Sequence, residues 1–317
     1  MKNIYTLTLN PALDKSTTVE RVEAEHKLRC ETPKFEPGGG GINISRALKK
    51  LGGDSIAIYP KGGPTGEHMQ ILLDKEGISQ YTIPSKNWNR ENFIVVEEST
   101  NKQFRFGMPG PPLLSTEVDA ILKHLNELKE IDFFVVSGSI PEGVPTDFYK
   151  SVAKIVNSKK GKLILDTSGK ALQEALKEGI YLCKPNIGEL GQLVGEELDT
   201  IPKQEAAALK VLKDYQVEIL VVSLGAFGAF LATKEKIYHV SAPSVNKKST
   251  VGAGDSMVAG MVYQLSQNKS LFETLKYGIA AGTAATMNTG TELCKKEDVE
   301  SLYQWITNHH MQNGTHY

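Results

Sequence analysis

The sequence predicts a doubly wound α/β fold, in which helices cover both faces of a mostly parallel β-sheet. Short apolar runs recur at helix-length intervals; they are "IYTLTLN", "IAIYP", "FFVVSGS", "KLILDTS", "IYLCKPN" and "EILVVSLG". Their hydrophobicity is continuous rather than alternating, which is typical of strands covered on both faces. Sheets of this kind bind ligands at the carboxyl ends of their strands, so we expect the functional site at that edge.

The segments between these runs have helical periodicity. In "GINISRALKKLG" the apolar residues share one helical face, and two glycines follow; the apolar residues are Ile44, Ala47, Leu48 and Leu51. Similar patterns predict further helices at 65–76, 115–129, 145–158, 203–214, 253–267, 271–288 and 296–308.

Two stretches interrupt this rhythm. Residues 15–35 and 90–108 alternate polar and apolar side chains, which is typical of antiparallel strands with one solvated face. We predict a four-stranded lid, built from approximately 15–36 and 88–109, inserted in a single domain that spans 1–317. Two unrelated surface hairpins are the alternative. One face of such a lid needs a cover, and a second copy of the chain would provide it.

Composition limits the classes of function. The 317 residues carry a formal net charge of -1, so no global field attracts nucleic acid or an anionic membrane. We find no long apolar segment or leader-like start, and we therefore predict a cytoplasmic protein. The three cysteines are far apart, and we expect Cys30, Cys183 and Cys294 to be buried, unpaired side chains. The histidines show no zinc-ligand spacing.

Several turns are rich in glycine, but none is a Walker A or a GxGxxG motif. The turn "STVGAGDSM", residues 249–257, differs from the others because it places Asp255 in the first turn of a predicted helix. Backbone N–H groups of such a turn attract anions, and a carboxylate beside them could serve as the general base for an attacking hydroxyl. Alternatively, Asp255 could simply complement the helix dipole.

Four segments together resemble the PfkB branch of the ribokinase-like sugar kinases. They are "TLNPALD", "GGGGINISRALKKLGG", "KPNIGEL" and "STVGAGDSM", in family order from residue 8 to 257. The resemblance implies a ribokinase-like α/β fold with a small β lid, and transfer of a phosphoryl group from ATP with Mg²⁺. It implies that Asp255 is the catalytic base and that the anion hole consists of the amides of Gly252, Ala253 and Gly254.

The resemblance also assigns the sugar phosphate site. Hydroxyl groups of the sugar would be bound by Asp14, taken to end the first strand, and by Gly39, Gly40, Asn43 and Ser139. Arg90 and Arg105 of the lid would clamp the phosphate, since a guanidinium group binds phosphate in a bidentate manner. Lys27 and Arg29 would add charge, in this copy or across a dimer. For these four basic residues, the alternative is a solvated sheet face.

The nucleotide and metal sites follow from the same resemblance. The nucleotide would contact Lys184, Asn186, Ser223, Gly225, Ala226, Phe227, Gly228, Lys247, Gly252, Gly254, Ile279 and Thr283. Magnesium keeps several waters, so Asn186 and Glu189 would act through water; for Glu189 a helix-surface salt bridge is the alternative. A monovalent cation such as K⁺ would bind to backbone oxygens of Ser249, Val251, Ala285, Asn288, Gly290 and Glu292. Ser249 departs from the family pattern, which often has Asp there.

The glycine run favours one substrate within the family. Relatives that phosphorylate fructose 1-phosphate or tagatose 6-phosphate usually carry Lys in this run, as GGKG, whereas this chain has Gly38–Gly41. The resemblance therefore implies phosphorylation of fructose 6-phosphate at O1, with tagatose 6-phosphate or fructose 1-phosphate as alternatives. A catalytically silent sensor of nucleotide or sugar phosphate is the hypothesis from another class.

Overall fold

A nine-stranded sheet forms the centre of the fold in the computed structural model, which describes residues 2–312. Its first seven strands are all parallel, and two further strands extend one edge antiparallel. The parallel strands are β1 (Ile4–Leu7), β4 (Ile56–Lys61), β5 (Ser79–Pro84), β8 (Phe133–Ser137), β9 (Lys162–Asp166), β10 (Ile180–Cys183) and β11 (Val217–Ser223). The antiparallel strands are β12 (Ala229–Ala232) and β13 (Ile237–Val240). All six predicted strands are present, and the predicted fold class is confirmed.

The strand order sets the position of the site. The sheet runs β13-β12-β11-β10-β9-β8-β1-β4-β5, so the chain reverses its direction of travel across the sheet between β1 and β8. Ligand clefts of doubly wound sheets open at such a switch point, beyond the carboxyl ends of the strands. Ser137 ends β8 and Asp166 ends β9, so polar side chains already lie at this edge.

Helices cover both faces of the large sheet. One face carries α1 (Gly40–Leu51), α8 (Ala253–Ser266), α9 (Leu271–Thr286) and α10 (Lys296–Gln312). The other carries α3 (Ser115–Glu127), α4 (Phe148–Ser158), α5 (Gly169–Ala175), α6 (Ile187–Val194) and α7 (Ile201–Asp214). The predicted face of α1 is fully buried against α8 and the sheet. The last five residues lie outside the described residues.

The predicted lid is a separate four-stranded sheet. Its order is β3-β2-β6-β7, from β2 (Ala12–Val19), β3 (Lys34–Gly38), β6 (Arg90–Glu97) and β7 (Lys102–Phe106). The remaining helix, α2 (Gly63–Lys75), packs under it through a small apolar cluster that includes Leu13 and Leu73. The pairing was predicted wrongly at the centre, where β2 and β6 are parallel. A long crossover through β3, α1, β4, α2 and β5 allows that parallel pair.

Two local predictions were wrong. Asp14 does not end the first strand, since β1 stops at Leu7 and Asp14 lies inside β2 of the lid. Cys30 is exposed, whereas Cys183 and Cys294 are buried as predicted. Asp14 was misplaced because the chain leaves the central sheet early, at Leu7. Cys30 is exposed because residues 20–33 form no strand and are largely open to solvent. No helix among residues 2–312 is long and apolar enough to cross a membrane.

Candidate active site

Asp255 lies where the central sheet, the glycine run and the lid meet. It is in the first turn of α8, whose N-cap is Gly252 with φ of 73°. This left-handed conformation favours glycine and ends the preceding loop abruptly. The first N–H groups of a helix have no partner within the helix, so the turn from Gly252 to Gly254 offers donors to an anion.

Two side chains from other elements orient the Asp255 carboxylate. Asn43 of α1 donates its side-chain amide to Oδ2 at 2.9 Å. The hydroxyl of Ser137, at the end of β8, also bonds to this carboxylate. Burial and, to a smaller extent, the negative charge of Asp166 raise the pKa of Asp255 to about 6, although Asn43, Lys184 and Ser137 oppose the shift. Such a value suits a general base that works near neutral pH.

Lys184 lies beside the anion-binding turn. Its side chain is almost fully buried, and its Nζ is 3.0 Å from Oδ1 of Asp166. A Cβ placed on Gly254 would stand 3.7 Å from the same Nζ. Burial alone would lower the pKa of Lys184, but Asp166, Glu189 and Asp255 together hold it above its usual value, so the ammonium group stays charged.

The glycine run permits close packing around the sugar-side residues. Gly39 is the N-cap of α1 with φ of 110°, a conformation that side chains rarely adopt. A Cβ on Gly38 would stand 2.4 Å from Oδ2 of Asp14, and a Cβ on Gly40 would stand 2.1 Å from Oγ of Ser137. Side chains at these positions would displace the polar groups that line the cleft.

Asp14 is held by the lid itself. Asn92 of β6 donates its amide to Oδ1 of Asp14 at 2.8 Å. Burial raises the pKa of Asp14, with Glu36 adding to the shift and Asn92, Arg90 and Arg46 opposing it. A buried carboxylate that is held in this way can accept hydrogen bonds from sugar hydroxyls.

Arg90 and Arg105 lie on neighbouring strands, β6 and β7, as expected. Arg90 donates to the carbonyl oxygens of Met108 and Asn10 at 3.0 and 3.2 Å. Arg105 reaches the segment just before the anion-binding turn, since its guanidinium group donates to Oγ1 of Thr250 at 3.3 Å. By contrast, Lys27 and Arg29 are exposed on the segment between β2 and β3.

Several buried polar atoms of the cleft have no protein partner within residues 2–312. They include Oδ1 of Asn43, Oδ1 of Asn10 and Nε of Arg90. Asn10 also donates to Oγ of Ser139 at 3.0 Å, which brings that predicted rim residue to the cleft. Unsatisfied buried groups are costly, so these atoms point to a polar ligand with several hydroxyl and charged groups.

The nucleotide motifs are brought together by a bridge between two strand ends. Asn186 and Ser223 form a parallel β-bridge, and the N–H of Ser223 donates to the carbonyl of Pro185 at 3.1 Å. Beyond it, Gly225–Phe227 form an exposed 3₁₀ turn in which Phe227 is 82% exposed. Gly228 closes this turn, because a Cβ there would stand 2.1 Å from the carbonyl of Val240.

Other predicted nucleotide residues are not all at the surface. Lys247 is exposed on the loop before α8, and Thr283 is half-buried on α9. Ile279 is only 4% exposed and belongs to the core between α8 and the sheet. Glu189 caps its own helix: its carboxylate accepts from the N–H of Asn186 at 2.8 Å, and Asn186 accepts in return from the N–H of Glu189.

The residues predicted for a monovalent cation lie on two loops, one before α8 and one after α9, and at the end of α9, and only some of them contact one another. Oγ of Ser249 donates to the carbonyl of Gly290 at 2.9 Å and accepts from the N–H of Val251. The carbonyl of Ala285 accepts from the N–H of Asn288, whose buried side-chain amide turns toward the carbonyls of Ala284 and Leu293. Glu292 points elsewhere and pairs with Lys295 at 3.6 Å.

Four residues of the site were missed by sequence reasoning: Asn10, Asn92, Ser137 and Asp166. Ser137 and Asp166 carry a usable signal, because each is the polar residue that ends an apolar strand of a parallel sheet. Asn92 has none, since only the unforeseen pairing of β2 with β6 brings it to Asp14.

Comparison with known proteins agrees with this geometry. The family model "pfkB family carbohydrate kinase" matches residues 8–298. The chain belongs to this family.

Among curated members, ATP-dependent 6-phosphofructokinase isozyme 2 of Escherichia coli is 42% identical over 97% of this chain and 100% of its own length. The 1-phosphofructokinase of Borreliella burgdorferi is 34% identical over 94% of this chain and 96% of its own length. The tagatose-6-phosphate kinase of Staphylococcus epidermidis is 31% identical over 96% and 98% of the respective lengths.

Solved structures of the family superimpose over nearly the whole chain. Phosphofructokinase-2 of Escherichia coli in complex with potassium has a TM-score of 0.93 at 41% identity, covering 97% of this chain and 100% of that chain. The tetrameric inhibited form of the same enzyme has a TM-score of 0.91 at 40% identity, with the same coverage.

Proposed function

We propose that this pfkB-family kinase transfers the γ-phosphoryl group of ATP to the 1-hydroxyl group of fructose 6-phosphate. One observation carries the proposal: the Asp255 carboxylate lies in the first turn of α8 and is hydrogen-bonded to Asn43, directly behind the glycine run. This position puts a base and a set of anion-binding amides within one helical turn. Phosphoryl transfer needs both, since a proton leaves the attacking hydroxyl while charge develops on the transferred group.

The sugar is bound between the glycine run and the lid. The Asp14 carboxylate accepts hydrogen bonds from the sugar's hydroxyl groups, and the Asn43 amide can both accept and donate. The unpartnered oxygen of Asn10 accepts another. Arg90 and Arg105 hold the 6-phosphate. Arg105 also donates to Thr250, so the lid contacts the segment that leads into α8. We expect the lid to close further over bound substrate and so to exclude water from the reacting groups.

The donor set fits magnesium, although residues 2–312 contain no group of three carboxylate, histidine or cysteine side chains arranged as direct ligands. Carboxylates of Asp166 and Glu189 are hard oxygen donors beside the anion-binding turn, and both act on the charge of Lys184. Mg²⁺ supplies positive charge to the phosphate oxygens when bound. Lys184 and the amides of α8 would hold the same oxygens, and Asp166 and Glu189 would hold the ion's water.

The loop that joins α9 to α10 fits a monovalent cation. The carbonyl of Gly290 on this loop lies next to the hydroxyl of Ser249, which precedes α8, and uncharged oxygens of this kind suit K⁺. The loop adjoins the turn that leads into α8, so a bound cation would support the anion hole. We therefore include K⁺ among the cofactors of the proposed reaction.

A substrate panel tests the proposal. The values of kcat/KM are compared for fructose 6-phosphate, tagatose 6-phosphate, fructose 1-phosphate, fructose and adenosine, with ATP and Mg²⁺. We expect fructose 6-phosphate to have the highest kcat/KM. This chain has Gly40 where the GGKG relatives carry lysine, and a side chain at this position would displace Ser137. Preference for an unphosphorylated substrate would contradict the arginine clamp. Binding of ATP and sugar phosphate without turnover would instead indicate a sensor.

We further propose a homodimer through the outer face of the lid. Phe93 and Phe106 contact each other on this sheet, and Phe106 is 49% exposed. An apolar patch of this kind favours a partner surface, and an identical lid is the simplest one. Light scattering of Phe106→Ser should give a larger fraction of monomer than the unsubstituted chain. An unchanged mass would contradict the lid interface.

The cytoplasmic location stays a prediction.

A further inference from the structure

A buried ion-pair network lies at the base of the lid, beside the residues assigned to the reaction. At its centre Arg46 of α1 is only 3% exposed. Its guanidinium group donates to Glu76 at 2.7 and 2.8 Å, to the carbonyl of Pro37 at 2.9 Å and to Glu36 at 3.5 Å. Burying charges is costly even when they are paired, so apolar residues would stabilise this region more simply.

The network continues from the lid into the anion-binding turn. Oε2 of Glu36 accepts a hydrogen bond of 2.7 Å from Oγ1 of Thr291, and both residues are buried. Thr291 follows Gly290, whose carbonyl accepts from Ser249. The hydroxyl of Ser249 accepts in turn from the N–H of Val251, immediately before Gly252. Three hydrogen bonds and two peptide links, Gly290–Thr291 and Val251–Gly252, therefore join β3 to the N-cap of α8.

At the other end, the network reaches β2, the sugar-binding strand, which carries Asp14. Glu36 of β3 is the direct partner of Asp14 in the pairing of β2 with β3. Two residues later, Gly38 packs so tightly against the Asp14 carboxylate that a Cβ would stand 2.4 Å from Oδ2. A shift of β3 therefore moves Asp14, and with it the sugar that Asp14 binds.

We propose that the hydrogen bond between Thr291 and Glu36 positions the sugar-binding strand relative to the anion-binding turn, and that Arg46 fixes Glu36 for this purpose. Glu36 and Thr291 are positioning residues, since they act through Asp14 and Gly252. This inference rests on the proposed kinase reaction, in which the sugar hydroxyl and the transferred phosphoryl group must be aligned. Small misplacements of aligned reactants are known to cost up to about a hundredfold in rate.

The test uses Thr291→Val, which keeps the shape and removes the hydroxyl, and Thr291→Ser, which restores it. We expect Thr291→Val to lower kcat/KM for the preferred sugar phosphate by about tenfold or more. Sugar-phosphate binding without nucleotide should weaken, and ATP binding without sugar should stay within about twofold. Thr291→Ser should recover most of both losses. The matched control is Thr289→Val, the same substitution at an exposed position of the same loop, with no expected effect.

A double-mutant cycle with Glu36→Gln separates positioning from general destabilisation. If the two residues act through one contact, the double variant should be no worse than the worse single variant, so the effects on kcat/KM do not multiply. Multiplying effects would overturn the proposal, and so would a Thr291→Val variant that lowers the unfolding temperature but leaves kcat/KM unchanged. If Glu36→Gln fails to fold, the Val and Ser pair alone decides. The cycle is run on whichever sugar the panel selects, so its failure is separate from failure of the substrate assignment.

Discussion

The side chains of Asn43 and Asp255 form a 2.9 Å hydrogen bond across 212 residues of sequence. Asn43 follows the glycine run at the start of α1, and Asp255 lies in the first turn of α8, so the contact joins the sugar side of the cleft to the phosphate side. The amide occupies Oδ2 and thereby fixes the orientation of the carboxylate before any ligand binds. A base that is oriented in advance needs no rearrangement when the hydroxyl arrives.

Replacement of the base should separate chemistry from binding. Asp255→Asn retains the shape and can still contact Asn43, but it cannot accept a proton. We expect kcat to fall by about 10²- to 10⁴-fold, the usual contribution of a general base. The dissociation constant for fructose 6-phosphate, measured without nucleotide, should change only a few-fold. A nearly normal kcat would remove Asp255 from the role of base.

The pH profile should report the raised pKa of Asp255. The carboxylate must be ionised to accept a proton, and its pKa in the free protein is about 6. The kcat/KM should therefore be nearly constant above pH 7 and should fall about tenfold per pH unit well below pH 6. Because the charge of Asp166 raises this pKa, Asp166→Asn should move the acidic limb to lower pH.

Asp132→Asn is the matched control for this shift. Asp132 precedes β8 at the opposite edge of the sheet and pairs with Lys2, so its loss should leave the limb in place. An acidic limb that does not move in Asp166→Asn would contradict the electrostatic origin of the raised pKa. The position of the limb is the decisive quantity, since loss of the Lys184 partner will also lower the overall rate.

Local patterns predicted the fold better than the site. Helix and strand periodicities are properties of neighbouring residues, so the alternation of elements and the helical face of α1 could be predicted. Sheet order is not local, so the run "KLILDTS" predicted a strand but did not show that Asp166 lies beside Lys184, which follows the neighbouring strand. The parallel pairing of β2 with β6 was missed for the same reason, and with it the contact of Asn92 with Asp14. Asp255 could be identified from sequence because it directly follows the glycine turn at the start of α8, so the local motif contains both the anion-binding amides and the base.

The lid arginine that contacts Thr250 should discriminate for the phosphate. Loss of a hydrogen bond to a charged group costs about 1.5–3 kcal/mol, so Arg105→Ala should weaken kcat/KM for fructose 6-phosphate by about ten- to a hundredfold. Turnover of unphosphorylated fructose, however slow, should not change. Arg21→Ala is the control, since Arg21 is an exposed lid-segment arginine that pairs with Glu23. Equal losses on both sugars would contradict a phosphate clamp.

Gly40 should be intolerant of any side chain, because its missing Cβ makes room for Ser137. A Cβ there would stand 2.1 Å from Oγ of Ser137 and 2.8 Å from the Ser137 backbone carbon, so the whole residue would have to move. We expect Gly40→Ala to destabilise the fold by about 1–3 kcal/mol, as overpacking does. It should also displace Ser137 from Asp255. The Ser137 hydrogen bond lowers the pKa of Asp255, so its loss should move the acidic limb of kcat/KM to higher pH.

Gly107→Ala provides the comparison for this glycine. Gly107 lies just beyond β7, where a Cβ would meet nothing within 4 Å, so both the unfolding temperature and the pH profile should stay close to those of the unsubstituted chain. The two variants should shift the acidic limb of kcat/KM in opposite directions: Asp166→Asn to lower pH and Gly40→Ala to higher pH. If both variants moved the limb in the same direction, the pKa of Asp255 would not be set by its interactions with Ser137 and Asp166. A loss of stability in Gly40→Ala without any shift would limit Ser137 to packing.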